Sequence, residues 1–329
     1  MTRQPVTLLD VAREAGVSRT TASAALGGSG RISETTRAHI RSVATQLGYR
    51  GNTAARHLRR GRTGIVGVHL PRDIGLLEYY MAFVFGAAEG ARDAGYALSI
   101  LPPGEAPSPD DVDGLLIVDA LADDPTVAQL VASGTRIVAS ERMLGLPDDA
   151  AVVVEPDHRS AVDLLFDHLL ARGAKAPAMI SGGSDSAWGL GVERAYLAWC
   201  ADHRVEPRLR GSTFTASAET VGAIAGDLLD SADPPDAIVG VPDGAALGVL
   251  DAARSRDLRI GRDLLVAAAV DSTPFRYVSP GITALDHHPS AVGRRCAELL
   301  LGWIADGEPP RWTERVGLDL VVRASTAPS

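Results

Sequence analysis

Residues 7–50 read TLLDVAREAGVSRTTASAALGGSGRISETTRAHIRSVATQLGYR, and this stretch decides how the chain is organised. Thr7 followed by Asp10 forms an N-cap with an acidic first turn. Leu8, Val11, Ala12 and Ala15 then share one face at i, i+3, i+4, i+7 spacing. Gly16 ends that helix, where a turn with positive φ needs no side chain. Ser18 caps a second helix, through Ala25, that turns Ala22, Ala25 and Leu26 inward. Ser33 caps a third, with Ile40, Val43, Ala44 and Leu47 as its apolar stripe and Gly48 as its stop. Two short helices joined by a glycine turn are a helix-turn-helix. The outward positions of the second helix are Arg19, Thr20, Ser23 and Ala24. They are short or basic, as a helix entering a major groove requires.

Charge separates this head from the rest. Residues 1–63 hold eleven arginines against three acids, a net +8, whereas the remaining 266 residues hold 21 bases and 38 acids, a net −17. The head points to a polyanion partner, which the acidic body would repel. A merely solvated basic face, or a three-helix scaffold without a nucleic-acid role, would not need both the arginine excess and the small polar outer face. The length of 329 residues suits two or three units at roughly 100–200 residues each. With 46% apolar and 22% charged residues, wholesale disorder is excluded. No apolar run reaches the roughly 18 residues that span a bilayer, and residues 1–16 show no secretory pattern. A cytoplasmic location and no membrane partner are expected. Cys200 and Cys296 lie far apart within helical patterns and are expected as buried thiols, not as a disulfide or metal site.

From Gly64 onward apolar runs alternate with amphipathic helices. Strands are expected at 65–70, 96–101, 114–118 and 136–139, then at 176–180, 236–240, 264–270 and 282–285. Helices are expected at 78–94, 157–172, 187–203, 218–230, 243–256 and 289–306. This alternation predicts an α/β body of two lobes, each a parallel sheet covered on both faces. A ligand would sit between the lobes at the strand C-termini.

The head, followed by GNTAARHLRRGRTGIVGV (51–68), resembles the start of LacI-family transcriptional regulators. Ala12, Gly16, Val17 and Ser18 stand at the helix-turn-helix landmarks. Leu47-Gly48-Tyr49 closes the third helix as in the family, and Asn52 to Leu58 matches its hinge. The resemblance extends over essentially the whole chain, to LDLVVRAST near the C-terminus. It implies a helix-turn-helix domain at 1–50, a hinge helix and linker at 51–63, and an effector-binding and dimerisation body at 64–329 like periplasmic sugar-binding proteins. It implies DNA contacts by Thr7, Ser18, Arg19, Thr20, Ser23, Asn52, Ala55, Leu58 and Arg59, with Leu58 wedged into the minor groove. It also implies a homodimer on a near-palindromic operator, meeting through helices 78–94 and 243–256, and repression modulated by a small-molecule effector.

Carried over position by position, the cleft residues are Tyr79, Tyr80, Glu141, Trp188, Phe214, Asp243 and Asp271. Several positions depart from the family. Ala22 replaces a bulkier β-branched residue, Ala24 an arginine that many members use as a third base contact, and Gly51 the proline before the hinge. Val192 stands where an arginine commonly clamps the ligand, Pro242 where an asparagine does, and His158 replaces the asparagine after Asp157. A bidentate arginine suits carboxylates and sugar diols, so its loss argues against a standard sugar. Glu141 with Asp271 would suit a ligand rich in donors or positively charged; an empty cleft is the competing expectation. Between Leu101 and Val112, PPGEAPSPDD is too short and proline-broken for the usual crossover helix, so the first lobe is expected to lack one helix or to have a rearranged strand. Asp110, Asp111 and Asp113 are read as solvated, and His287 and His288 as loop residues.

No catalytic pattern stands out, and no cofactor is expected. Ser181-Gly182-Gly183-Ser184 lacks the Lys-Ser/Thr ending of a phosphate loop, and no His-x-x-x-His, CxxC or nucleophile elbow occurs. A nucleotide-using enzyme would need G-x-G-x-x-G after the first body strand. A cytoplasmic solute-binding protein would leave the basic head without a role.

Overall fold

The computed structural model describes residues 6–27, 30–49, 57, 61–72, 78–102, 104, 106–108, 110–213, 215–310 and 312–327. The chain divides into two compact units, Met1–Arg62 and Thr63–Ser329.

The first unit contains α1 (Leu8–Glu14), α2 (Arg19–Gly27) and α3 (Glu34–Leu47). Thr7 and Asp10 form a reciprocal capping box at the start of α1. Ser18 Oγ accepts from the amide of Thr21 at 3.0 Å, and Ser33 Oγ from that of Thr36 at 3.2 Å. Gly16 and Gly48 have φ of 66° and 68°, the left-handed geometry that stops a helix cleanly at glycine. Val11, Ala12, Ala22, Ala25, Ile40, Val43 and Ala44 form the core. Arg37 reaches from α3 to donate to the carbonyl of Ala25 at 3.1 Å, tying α3 to the end of α2.

In the second unit the described residues form two six-stranded sheets. The N-terminal lobe holds β1 (Ile65–His69), β2 (Ala97–Ile100), β3 (Gly114–Ile117), β4 (Ile137–Ala139), β5 (Val152–Pro156) and β11 (Thr313–Val316). Their order is β11-β5-β4-β3-β1-β2, parallel throughout. The C-terminal lobe holds β6 (Pro177–Ser181), β7 (Arg208–Gly211), β8 (Ala237–Gly240), β9 (Leu265–Ala268), β10 (Thr283–Asp286) and β12 (Asp319–Val321). Their order is β12-β10-β9-β8-β6-β7, with β12 the one antiparallel edge. The chain crosses between lobes after β5, after β10 and between β11 and β12.

Helices α4 (Glu78–Asp93), α5 (Pro125–Ala132) and α11 (Pro289–Asp306) cover the first sheet. The second is covered by α6 (His158–Ala171) and α7 (Ala187–His203) on one face. On its other face lie α8 (Ala218–Leu229), α9 (Ala246–Arg254) and α10 (Pro274–Tyr277). Two helix pairs approach through glycine. A Cβ on Gly293 of α11 would lie 2.0 Å from the carbonyl oxygen of Phe83 in α4. One on Gly248 of α9 would lie 1.9 Å from that of Ala218 in α8.

The sequence pattern did not announce β5, β7, β11, β12, α5 or α10, and α9 starts at Ala246, not 243, because Pro242-Asp243-Gly244 forms a turn ahead of it. The described residues between β2 and β3 contain no helix, as expected from the prolines. The strand order is regular, and β2 is left as an open edge with Ile100 exposed. Asp113 corrects the expectation of a solvated acid. Its two carboxylate oxygens accept from the amides of Thr63 and Gly64 at 2.9 and 2.8 Å, fixing the chain where it enters β1.

Candidate functional site

On the head, Arg19 and Thr20 are exposed in the first turn of α2, beside the exposed cap Ser18; Ser23 is half-buried. Thr7 is exposed at the start of α1. The Ser18 cap hydrogen bond fixes the start of α2 while leaving its leading side chains open to solvent. Asn52, Ala55, Leu58 and Arg59 lie outside the described residues.

In the body, Tyr79 and Tyr80 of α4, Asp119 and Ser140-Glu141 after β3 and β4, Pro156, Trp188 of α7, Pro242-Asp243, Val270 and His287 line one cavity of about 510 Å3, its mouth included. Five of the seven expected cleft residues are thus brought together: Tyr79, Tyr80, Glu141, Trp188 and Asp243. Phe214 lies outside the described residues. Asp271 is a correction: it is absent from the cavity wall, and Arg323 clamps its carboxylate with two hydrogen bonds of 2.7 Å. The partner that occupies it stands 52 positions later, out of reach of a local reading.

Asp119, in contrast, lines the cavity. It accepts from the Tyr80 hydroxyl at 2.8 Å, and burial together with the nearby Glu141 carboxylate pushes its pKa up to about 7. Burial also raises Glu141, opposed by His158, whose Nε2 lies 3.3 Å from Glu141 Oε2. A Cβ on Gly191 would stand 2.5 Å from the His158 ring, so glycine makes the room for this contact. Asp243 is pushed up to about 6 by burial, against backbone hydrogen bonds from Tyr79, Glu78 and Gly244. His287, buried, donates from Nε2 to the carbonyl of Ala269 at 2.8 Å; burial lowers its pKa and keeps it neutral. Asp119 and Glu141 have φ of 43° and 149°, uncommon for side-chain-bearing residues and the kind of backbone strain that clusters at ligand sites.

Two sets of contacts join the lobes beside the cavity. Glu78 accepts from the amide of Thr273 at 2.7 Å and from the hydroxyl groups of Ser272 and Thr273. Leu121 bridges to Ser186, and the amide of Ala122 donates to the carbonyl of Asp185 at 2.8 Å.

Comparison with known proteins then bears on both regions. Residues 7–52 match the profile of bacterial regulatory proteins of the lacI family, and residues 166–326 that of a periplasmic binding protein-like domain. The HTH-type transcriptional regulator PtxS of Pseudomonas putida is 30% identical, covering 99% of this chain and 98% of its own. The chain belongs to the LacI family.

This LacI-family chain is therefore a transcriptional regulator with a helix-turn-helix head and a two-lobed binding-protein-like body. CelR of Thermobifida fusca is 28% identical over 91% of the chain and 92% of its own length. In fold, a CelR–cellobiose complex superposes with a TM-score of 0.74 at 24% identity, covering 97% of this chain and 99% of the other. A lac repressor dimer bound to operator and the anti-inducer ONPF gives 0.74 at 22% identity, covering 98% and 100%. The lining residues that sequence reasoning did not name as site residues are Asp119, Ser140, Pro156, Pro242, Val270 and His287. Each ends a strand or stands within two residues after one, the region where open parallel sheets place ligand contacts.

Proposed function

We propose that this LacI-family regulator is a repressor that binds a near-palindromic operator as a homodimer and is modulated by a small molecule in the interlobe cavity. The domain reading is 1–50 for the DNA reader, 51–63 for a hinge that orders on DNA, and 64–329 for the sensor. Arg19 and Thr20 read base edges in the major groove, with Thr7, Ser18, Ser23, Asn52, Ala55 and Arg59 on backbone or groove and Leu58 as the minor-groove wedge. A single head touches too few bases for selectivity, so two copies read two half-sites. The exposed Met81 and Phe85 on α4 support a dimer contact there. The protein works in the cytoplasm, needs no cofactor or membrane, and is not an enzyme.

The observation that carries this reading is the pairing, in one chain, of a capped α2 with exposed Arg19 and Thr20 and a half-open cavity between two lobes, walled by aromatic rings and carboxyl groups. Ligand in the cavity changes how the lobes sit against each other, and hence whether both hinges order. Such coupling is typically worth about 1–3 kcal/mol. Gel shift and footprinting on genomic fragments test it. A protected near-palindrome, lost or strengthened with metabolite extracts, is the expected result. No preference for any duplex over random competitor at moderate ionic strength overturns it.

A further inference from the structure

Among the described residues, the cavity wall carries three carboxyl side chains, Asp119, Glu141 and Asp243, and no arginine or lysine. Each has one oxygen already engaged. Tyr80 donates to Asp119 Oδ2, His158 faces Glu141 Oε2, and backbone amides reach Asp243. Glu141 Oε1, Ser140 Oγ and Asp243 Oδ2 have no hydrogen-bond partner, and Glu141 and Ser140 are 3% and 4% exposed. A buried acceptor left unmade is costly, more so when ionised. Hydroxyl groups of a neutral ligand could fill those hydrogen bonds but would bring no positive charge to three carboxyl groups whose ionised forms burial already disfavours, and among the described residues His158 is the one cationic side chain beside them. A carboxylate or phosphate would add another negative charge with no cation to receive it. Tyr79, Tyr80 and Trp188 wall the same space with aromatic rings, whose faces attract cations and pack on the apolar face of a saturated ring.

Resting on the reading of the cavity as the effector site, we propose that the effector carries a protonated amine on a hydroxyl-bearing ring, the chemical class of amino sugars and polyhydroxylated cyclic amines, with Glu141 and Asp243 receiving its ammonium group. Ser140 and Asp119 then meet its hydroxyl groups, and the aromatic wall its ring face.

The test is calorimetry on the full-length protein near neutral pH. The probes are glucosamine, galactosamine, mannosamine and 1-deoxynojirimycin, with the parent hexoses, the N-acetylhexosamines and the matching hexuronates. At least one amine is expected to bind about tenfold or more tightly than its parent hexose and its N-acetyl form, with no heat from the uronates. Glu141→Gln should weaken that amine by about tenfold, and Asp243→Asn, which keeps the shape of the turn, should weaken it in the same direction. Equal or tighter binding of a hexose or uronate overturns the proposal, as does an amine that binds both variants as well as the parent protein, or silence from every amine. If operator binding persists in those cases, the regulator reading stands and only the ligand class falls.

Discussion

Asp119 shows how a single position acquires a property its sequence neighbours do not reveal. In VDALADDP it is one acid among several, yet it ends up 8% exposed against Tyr80, with its pKa pushed from 3.8 to about 7. Between those values the folded state holds a proton that the unfolded chain has released. This group therefore makes stability fall as pH rises from about 4 to 7, and level off above. Asp243, raised to about 6, and Glu141 and His158, both raised, act in the same direction, while His287, lowered, opposes them. Thermal melts at pH 5 and pH 8 should thus differ less in Asp119→Asn than in the parent; an unchanged difference refutes the assignment. On the head, Arg19→Ala should relax base preference in each half-site by about 1–3 kcal/mol, read from competition with mutated operators. Family position points to Tyr79, Tyr80, Glu141, Trp188 and Asp243 as cleft residues, and these five do line one cavity. Asp271 was misread because its charge is consumed by Arg323, a fact that only the folded chain contains.

Among elements, those with strong periodicity and clear punctuation were legible: α1 to α3 from their caps and glycines, β1, β3, β8 and β9 from apolar runs. The missed strands have other causes. β7, RLRG, and β11, TERV, are edge strands with polar, part-exposed residues that carry no apolar run. β12 is three residues long and joins through an antiparallel return. The closeness of α4 to α11 was also hidden, since a glycine in a helical pattern reads as weakness, not as a contact. Gly293→Ala should force the two helices apart and destabilise by about 1–3 kcal/mol, seen as a lower urea midpoint with unchanged slope. Gly302→Ala on the same helix, where a Cβ meets nothing within 4 Å, should instead be neutral or stabilising by up to about 1 kcal/mol. Equal effects would refute the close-packing account.

For the whole molecule, the split between a +8 head and a −17 remainder means that affinity for a duplex comes from the head, with the body resisting loose adhesion. On the proposed reading, selectivity then depends on the hinge ordering. Leu58→Ala should weaken operator binding more than binding to random duplex, measured side by side at one salt concentration; equal loss on both contradicts a wedge. The two-lobed plan was readable from the alternation of runs and helices, whereas the three crossings between lobes were not, because β11 and β12 escaped notice.

Asp113 gives that plan a mechanical edge. By accepting from two successive amides at the threshold of β1, it pins the backbone where the body begins, the point through which, on the proposed reading, a tilt of the first lobe would be passed on. Asp113→Ala should leave ligand affinity and basal operator affinity within about twofold, well under one kcal/mol, yet shrink the ratio between operator affinities with and without ligand. An unaltered ratio would mean that the message travels by another route. On the proposed reading, a firmly anchored first strand spares a movement of small amplitude at the cleft from being lost at the start of the body.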